Sequence, residues 1–122
     1  MNDERPLHDK RILVVEDEFL VALDLSDIVE RLGAAEVRTA GTLGEALAAA
    51  DERFDGAFVD VQLRDEKSFP VIEKLRAAGV PLILTTGYDP GTLPAHVGDL
   101  PRIAKPFAPT ELRRAVEDAF GR

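Results

Sequence analysis

The chain has 122 residues, enough for one hydrophobic core of ordinary domain size. Fifteen Lys and Arg against 23 Asp and Glu leave a formal net charge of −8, which argues against direct binding of nucleic acid, whose phosphate backbone demands a basic patch. There is no cysteine, which excludes disulfides and thiolate zinc sites. No apolar run approaches the roughly 18 residues of a membrane-spanning helix.

Residues 1–10 are polar, contain Pro6 and lack the apolar stretch of a signal peptide. They read as a flexible tail, with the domain proper over 11–122 and the cytoplasm as its expected location. Ile12-Leu13-Val14-Val15 is too short for a helix and continuously apolar, the pattern of a strand buried on both faces. Val21, Leu25, Ile28 and Leu32 then fall on one helical face, with Gly33 at the expected C-terminal cap. Ala35–Thr39 is a weaker strand. Thr42-Leu43-Gly44-Glu45 has capping-box spacing and opens an Ala-rich helix ending near Ala50.

Gly56–Val59 reads as a third strand, and Ser68 to Ala78 as a helix with Pro70 in its first turn and Gly79 beyond its end. Val80–Leu84 is a fourth strand. Pro90, Gly91, Pro94 and Gly98 break up the stretch 87–101, leaving at most a short helix near Leu93–Val97. Arg102-Ile103-Ala104 is a fifth strand, and Pro109–Phe120 a final amphipathic helix. Strands alternating with helices imply a parallel sheet covered on both faces, an α/β fold of three layers.

In such sheets ligands bind beyond the carboxyl ends of the strands. Glu16, Asp17 and Glu18 follow the first apolar run, Asp60 the third, Thr85 and Thr86 the fourth, and Lys105 the fifth. Each alone has an ordinary structural meaning, such as a turn aspartate, a solvated helix start or a surface lysine. Together they place a set of acids, hydroxyls and an ammonium on one edge. Oxygen ligands of this kind suit magnesium. An aspartate can act as nucleophile toward phosphorus, and a dication, Lys105 and Thr86 would compensate the charge of the phosphoryl oxygens.

These residues carry a resemblance. Val14-Val15-Glu16-Asp17-Glu18, Phe58-Val59-Asp60, Thr86-Gly87 and Lys105-Pro106-Phe107 occur in the order found in the receiver domains of two-component response regulators. The chain resembles that family from about Arg11 to Phe120. Val80–Tyr88 further resembles the subgroup marked by Pro-Phe-x-Phe-Ala-Thr-Gly-Tyr, with Leu82 and Leu84 in place of both phenylalanines and Thr85 in place of alanine.

The resemblance implies a doubly wound, flavodoxin-like five-stranded sheet of order 2-1-3-4-5, with a short or irregular fourth helix and a cis Lys105–Pro106 bond. It implies Asp60 as phosphoacceptor, with Glu16, Asp17, Asp60 and the Gln62 backbone carbonyl around Mg2+. Thr86 becomes the switch hydroxyl and Lys105 the lysine that pairs with the phosphoryl group. A phosphohistidine on a histidine kinase or phosphotransfer protein is the implied donor, and a separate protein the implied recipient of the signal. A stand-alone, non-enzymatic module is expected, a monomer or weak dimer with no contact to nucleic acid or membrane. The position three before Lys105, usually aromatic in the family, is Arg102, so the familiar aromatic switch is not expected. Tyr88 is the nearest substitute. The competing readings are a binding module indifferent to phosphorylation and a magnesium-dependent phosphohydrolase. Gln62 stands where the latter needs a second aspartate.

Overall fold

The computed structural model describes residues 5–87 and 97–120. Its strands are β1 (Arg11–Val15), β2 (Glu36–Ala40), β3 (Gly56–Asp60), β4 (Gln62–Leu63), β5 (Glu66–Lys67), β6 (Leu82–Thr86) and β7 (Arg102–Ala104). Its helices are α1 (Phe19–Arg31), α2 (Leu43–Ala49), α3 (Phe69–Ala77) and α4 (Pro109–Phe120). One sheet runs β2-β1-β3-β6-β7 with every pair parallel, while β4 and β5 form a separate antiparallel hairpin. Counting only the strands of the large sheet, this is the order 2-1-3-4-5.

The continuous apolar runs are explained by burial on both faces. Leu13, Val15, Ala57, Val59, Leu82 and Leu84 point into a core shared with Ala46 and Ala49 of α2 and Val71, Ile72 and Leu75 of α3. Their alternate neighbours Ile12, Val14, Phe58 and Ile83 pack with Leu25, Ile28 and Val29 of α1 and Leu112, Val116 and Phe120 of α4. The period of two along each strand thus feeds two cores. In the second core Phe58 meets Phe120 edge-on, with ring centroids 5.5 Å apart. Gly56 makes room for that ring, since a Cβ there would lie 3.1 Å from Phe120 Cζ.

The local signals act as expected. Thr42 Oγ1 accepts from the Glu45 amide at 3.0 Å, and the Glu45 carboxylate reaches back to the Gly41 amide at 2.9 Å. Gly33 and Gly79 take positive φ, 108° and 79°, just past α1 and α3, where a left-handed residue closes the last turn. Lys105–Pro106 is cis.

Three expectations need adjustment. Residues 5–10 are not a free tail: Leu7 is wholly buried in the second core and its amide donates to Leu32 O at 2.9 Å. The fourth sheet strand is shifted toward its carboxyl end, so Thr85 and Thr86 lie inside β6 rather than after it. On α1 the stripe buried against the sheet is Ala22, Leu25, Ile28 and Val29, while Val21 lines the cleft described below. The expected helix near Leu93–Val97 falls mostly outside the described residues, as does Tyr88.

Candidate functional site

The parallel register brings the strand ends level. Val15 pairs with Val59, Asp60 with Thr85 and Thr86 with Ala104. The residue after β1, the last residue of β3 and the residue after β7 therefore meet at one edge. Lys105 is fixed there by its amide, which donates to Thr86 O at 2.7 Å.

Its ammonium is the hub of the site. Lys105 Nζ lies 2.8 Å from Asp60 Oδ2 and 3.2 Å from Glu16 Oε1. Asp60 and Glu16 are both nearly inaccessible, at 4% and 3% exposure. Charges so buried persist only when paired, and here two carboxylates share one ammonium. Each carboxylate also uses its second oxygen: the Gln62 amide donates to Asp60 Oδ1 at 3.1 Å, and the Glu18 amide donates to Glu16 Oε2 at 3.1 Å. The backbone beyond β3 and at the start of α1 thus orients both acids.

The imbalance shows in their protonation. Burial pushes the Glu16 carboxyl up to about 7, and the neighbouring Asp60 charge adds to this. The Glu18 amide and Lys105 oppose the rise without cancelling it. Burial alone would lower the Lys105 pKa, but the hydrogen bond and charge of Asp60, followed by those of Glu16, raise it above the ordinary lysine value. At neutral pH the ammonium is fully charged.

Asp17 completes the acid set. One carboxylate oxygen each from Glu16, Asp17 and Asp60 lies within 4.8 Å of the others. Three hard oxygen donors converging on one point match a small divalent cation better than any soft metal. The surrounding cleft is lined by Asp17, Asp60, Gln62, Arg64, Gly87 and Lys105, with Leu20, Val21 and Phe107 as an apolar wall.

Two sequence-derived candidates stand apart. Thr86 is buried at the end of β6 and is not among the residues lining the cleft, although the adjoining Gly87 is. Arg102 begins β7, is exposed, and donates to Gly98 O at 3.1 Å, away from the acid set. Several residues of the cleft were not anticipated, among them Leu20, Asp24 and Arg64. Arg64, in the turn between β4 and β5, places Nε 3.8 Å from Asp17 Oδ2. Its position in a short polar segment offers no periodicity that would flag it.

The parallel sheet thus carries clustered acids and a lysine at its carboxyl edge. The chain matches the response regulator receiver domain over residues 12–117 and belongs to that family, the receivers of two-component signalling. It is 35% identical over 117 residues to the phyllosphere-induced regulator PhyR of Methylorubrum extorquens, covering 89% of this chain and 43% of that protein. The chain spans less than half the length of the curated relatives it matches. Among solved structures, SdrG from Sphingomonas melonis Fr1 is 38% identical with a TM-score of 0.77, covering 91% of this chain and 94% of the other. The response regulator PhyR from Brucella abortus is 30% identical with a TM-score of 0.80, covering 96% of this chain and 50% of the other.

Proposed function

We propose that this receiver takes a phosphoryl group from a phosphohistidine onto Asp60, with Mg2+ held by Glu16, Asp17, Asp60 and the Gln62 carbonyl. The observation that carries the reading is the Lys105 ammonium, 2.8 Å from Asp60 Oδ2, beside a carboxylate cluster that Glu16 and Asp17 complete. In the transfer, an Asp60 oxygen forms a bond to phosphorus as the P–N bond breaks, and the imidazole departs with the bonding electron pair. Bound Mg2+ supplies positive charge against the phosphoryl oxygens. Lys105 supports the same charge and holds the carboxylate in place. The Gln62 amide fixes the remaining Asp60 oxygen, so that the nucleophile is oriented before the donor arrives.

The product adds about one and a half to two negative charges at the sheet edge. The Thr86 hydroxyl, at the end of the strand paired with Asp60, is then the donor that turns toward the phosphoryl group. Arg102 cannot act as an aromatic rotamer, so the change is read through β6 and passes to a partner protein. The donor is a histidine kinase or a histidine phosphotransfer protein.

The test is chemical. With Mg2+, acetyl phosphate or a phosphorylated histidine kinase should add one base-labile phosphoryl group to the wild type and none to Asp60→Asn. Labelling of Asp60→Asn, or no labelling of the wild type by either donor, would overturn the reading.

A further inference from the structure

The cleft contains a second cation, and the fold goes to some trouble to place it. β4 and β5 are joined by a two-residue turn, since Leu63 pairs with Glu66 and only Arg64 and Asp65 lie between. Arg64 has φ 53°, a left-handed backbone that disfavours a side chain with a Cβ and that glycine adopts freely. Local preference alone would not choose arginine there. The turn is held by Gln62, whose side-chain amide donates to Arg64 O at 2.6 Å and Glu66 O at 3.2 Å. The Gln62 main-chain amide donates to Asp60, so one residue links the acceptor to the turn.

The two cations divide the acids between them. Lys105 is bonded to Glu16 and Asp60, and among the described residues Arg64 is the cation paired with Asp17. The Arg64 side chain is 76% exposed and Nε stands 3.8 Å from the carboxylate, a loose contact of the kind that water and salt readily exchange. Lys105 is held more closely and is more buried. A dication entering among the three carboxylates would need Asp17, and the guanidinium is the group in its way.

We propose that Arg64 is a built-in competitor for the divalent cation: it pairs with Asp17 when no ion is bound, yields when one binds, and thereby lowers the affinity of the cleft for Mg2+. Arg64 is a positioning residue here, acting through Asp17 rather than on the transferred group. The inference rests on the metal-assisted reading of the same cleft.

The experiment is a Mg2+ titration of the metal-free protein at low ionic strength, followed by calorimetry and by backbone amide NMR shifts. Arg64→Gly removes the charge and suits the left-handed backbone, so the turn is retained. Arg64→Gln removes the charge with much of the side-chain length kept, and Arg64→Lys keeps the charge. Removing one nearby exposed positive charge should tighten Mg2+ binding roughly threefold to tenfold in the first two variants, with Arg64→Lys close to wild type. The gain should shrink as salt is added. Unchanged affinity in both neutral variants, or an equal gain in Arg64→Lys, would overturn the role of Arg64 while leaving the phosphoacceptor reading intact. A wild type that binds no Mg2+, with Asp17→Asn indistinguishable from it, would overturn both.

Discussion

Replacing Glu16 with glutamine should remove a defined part of the pH dependence of stability in metal-free protein. Glu16 is raised from 4.5 to about 7, first by burial and then by the Asp60 charge. Between those values the folded chain keeps the Glu16 proton while the unfolded chain has released it. The unfolded state binds fewer protons there, so this contribution is complete below about pH 4.5 and is lost as pH rises through 7. At about 1.4 kcal/mol per pKa unit, the loss across the window is on the order of 3 kcal/mol. Glu16 is only 3% exposed, so water does little to screen the effect. The groups facing it are Asp60, Asp17 and Lys105. Glutamine copies the shape of the protonated acid and does not titrate. Urea unfolding, followed by circular dichroism in chelator at pH 5 and pH 8, measures the change. Glu16→Gln should gain on wild type by roughly 2 kcal/mol between the two pH values. Added Mg2+ at pH 8 should restore much of the wild-type stability and less of the variant's. Parallel stability–pH curves for the two proteins would refute the reasoning.

Lys105→Ala leaves Asp60 and Glu16 as two buried carboxylates with no shared cation. It should destabilise the fold by on the order of 2–4 kcal/mol at pH 8, and by less at pH 5, where Glu16 carries a proton; equal losses at both pH values would contradict the shared-ammonium picture. Leu7→Ala should cost about 2–5 kcal/mol in the same unfolding assay, because Leu7 is fully buried beneath α1; a cost typical of an exposed tail, near zero, would contradict the packing described.

Much of this fold was legible because its central strands β1, β3 and β6 are built on short continuous apolar runs. Ile12–Val15 and Leu82–Leu84 allow no other reading once both faces are buried. The carboxyl-edge rule then located Glu16, Asp17, Asp60 and Lys105 without any side-chain geometry. What escaped the sequence was contact that no local pattern encodes. Leu7 is a lone apolar residue among polar ones, and its burial depends on α1 passing over it. Glu66 and Lys67 are exposed, so the hairpin they help form has no alternation to betray it. Arg64 occupies a backbone region that its own chemistry disfavours, the sort of local conflict found where a site overrides propensity. Thr85 and Thr86 continue β6 as buried residues, because the end of an apolar run does not mark where a strand's burial and hydrogen bonding end.

The edge-on contact of Phe58 with Phe120 has a practical consequence. Phe58 lies two residues before Asp60 on the same strand, and Gly56, two residues earlier still, forms the seat of the Phe120 ring. The terminal turn of α4 therefore rests on the strand that ends in Asp60. With no tryptophan and few aromatic rings in the chain, the Phe120 ring is a natural place to follow packing at the end of β3 opposite Asp60.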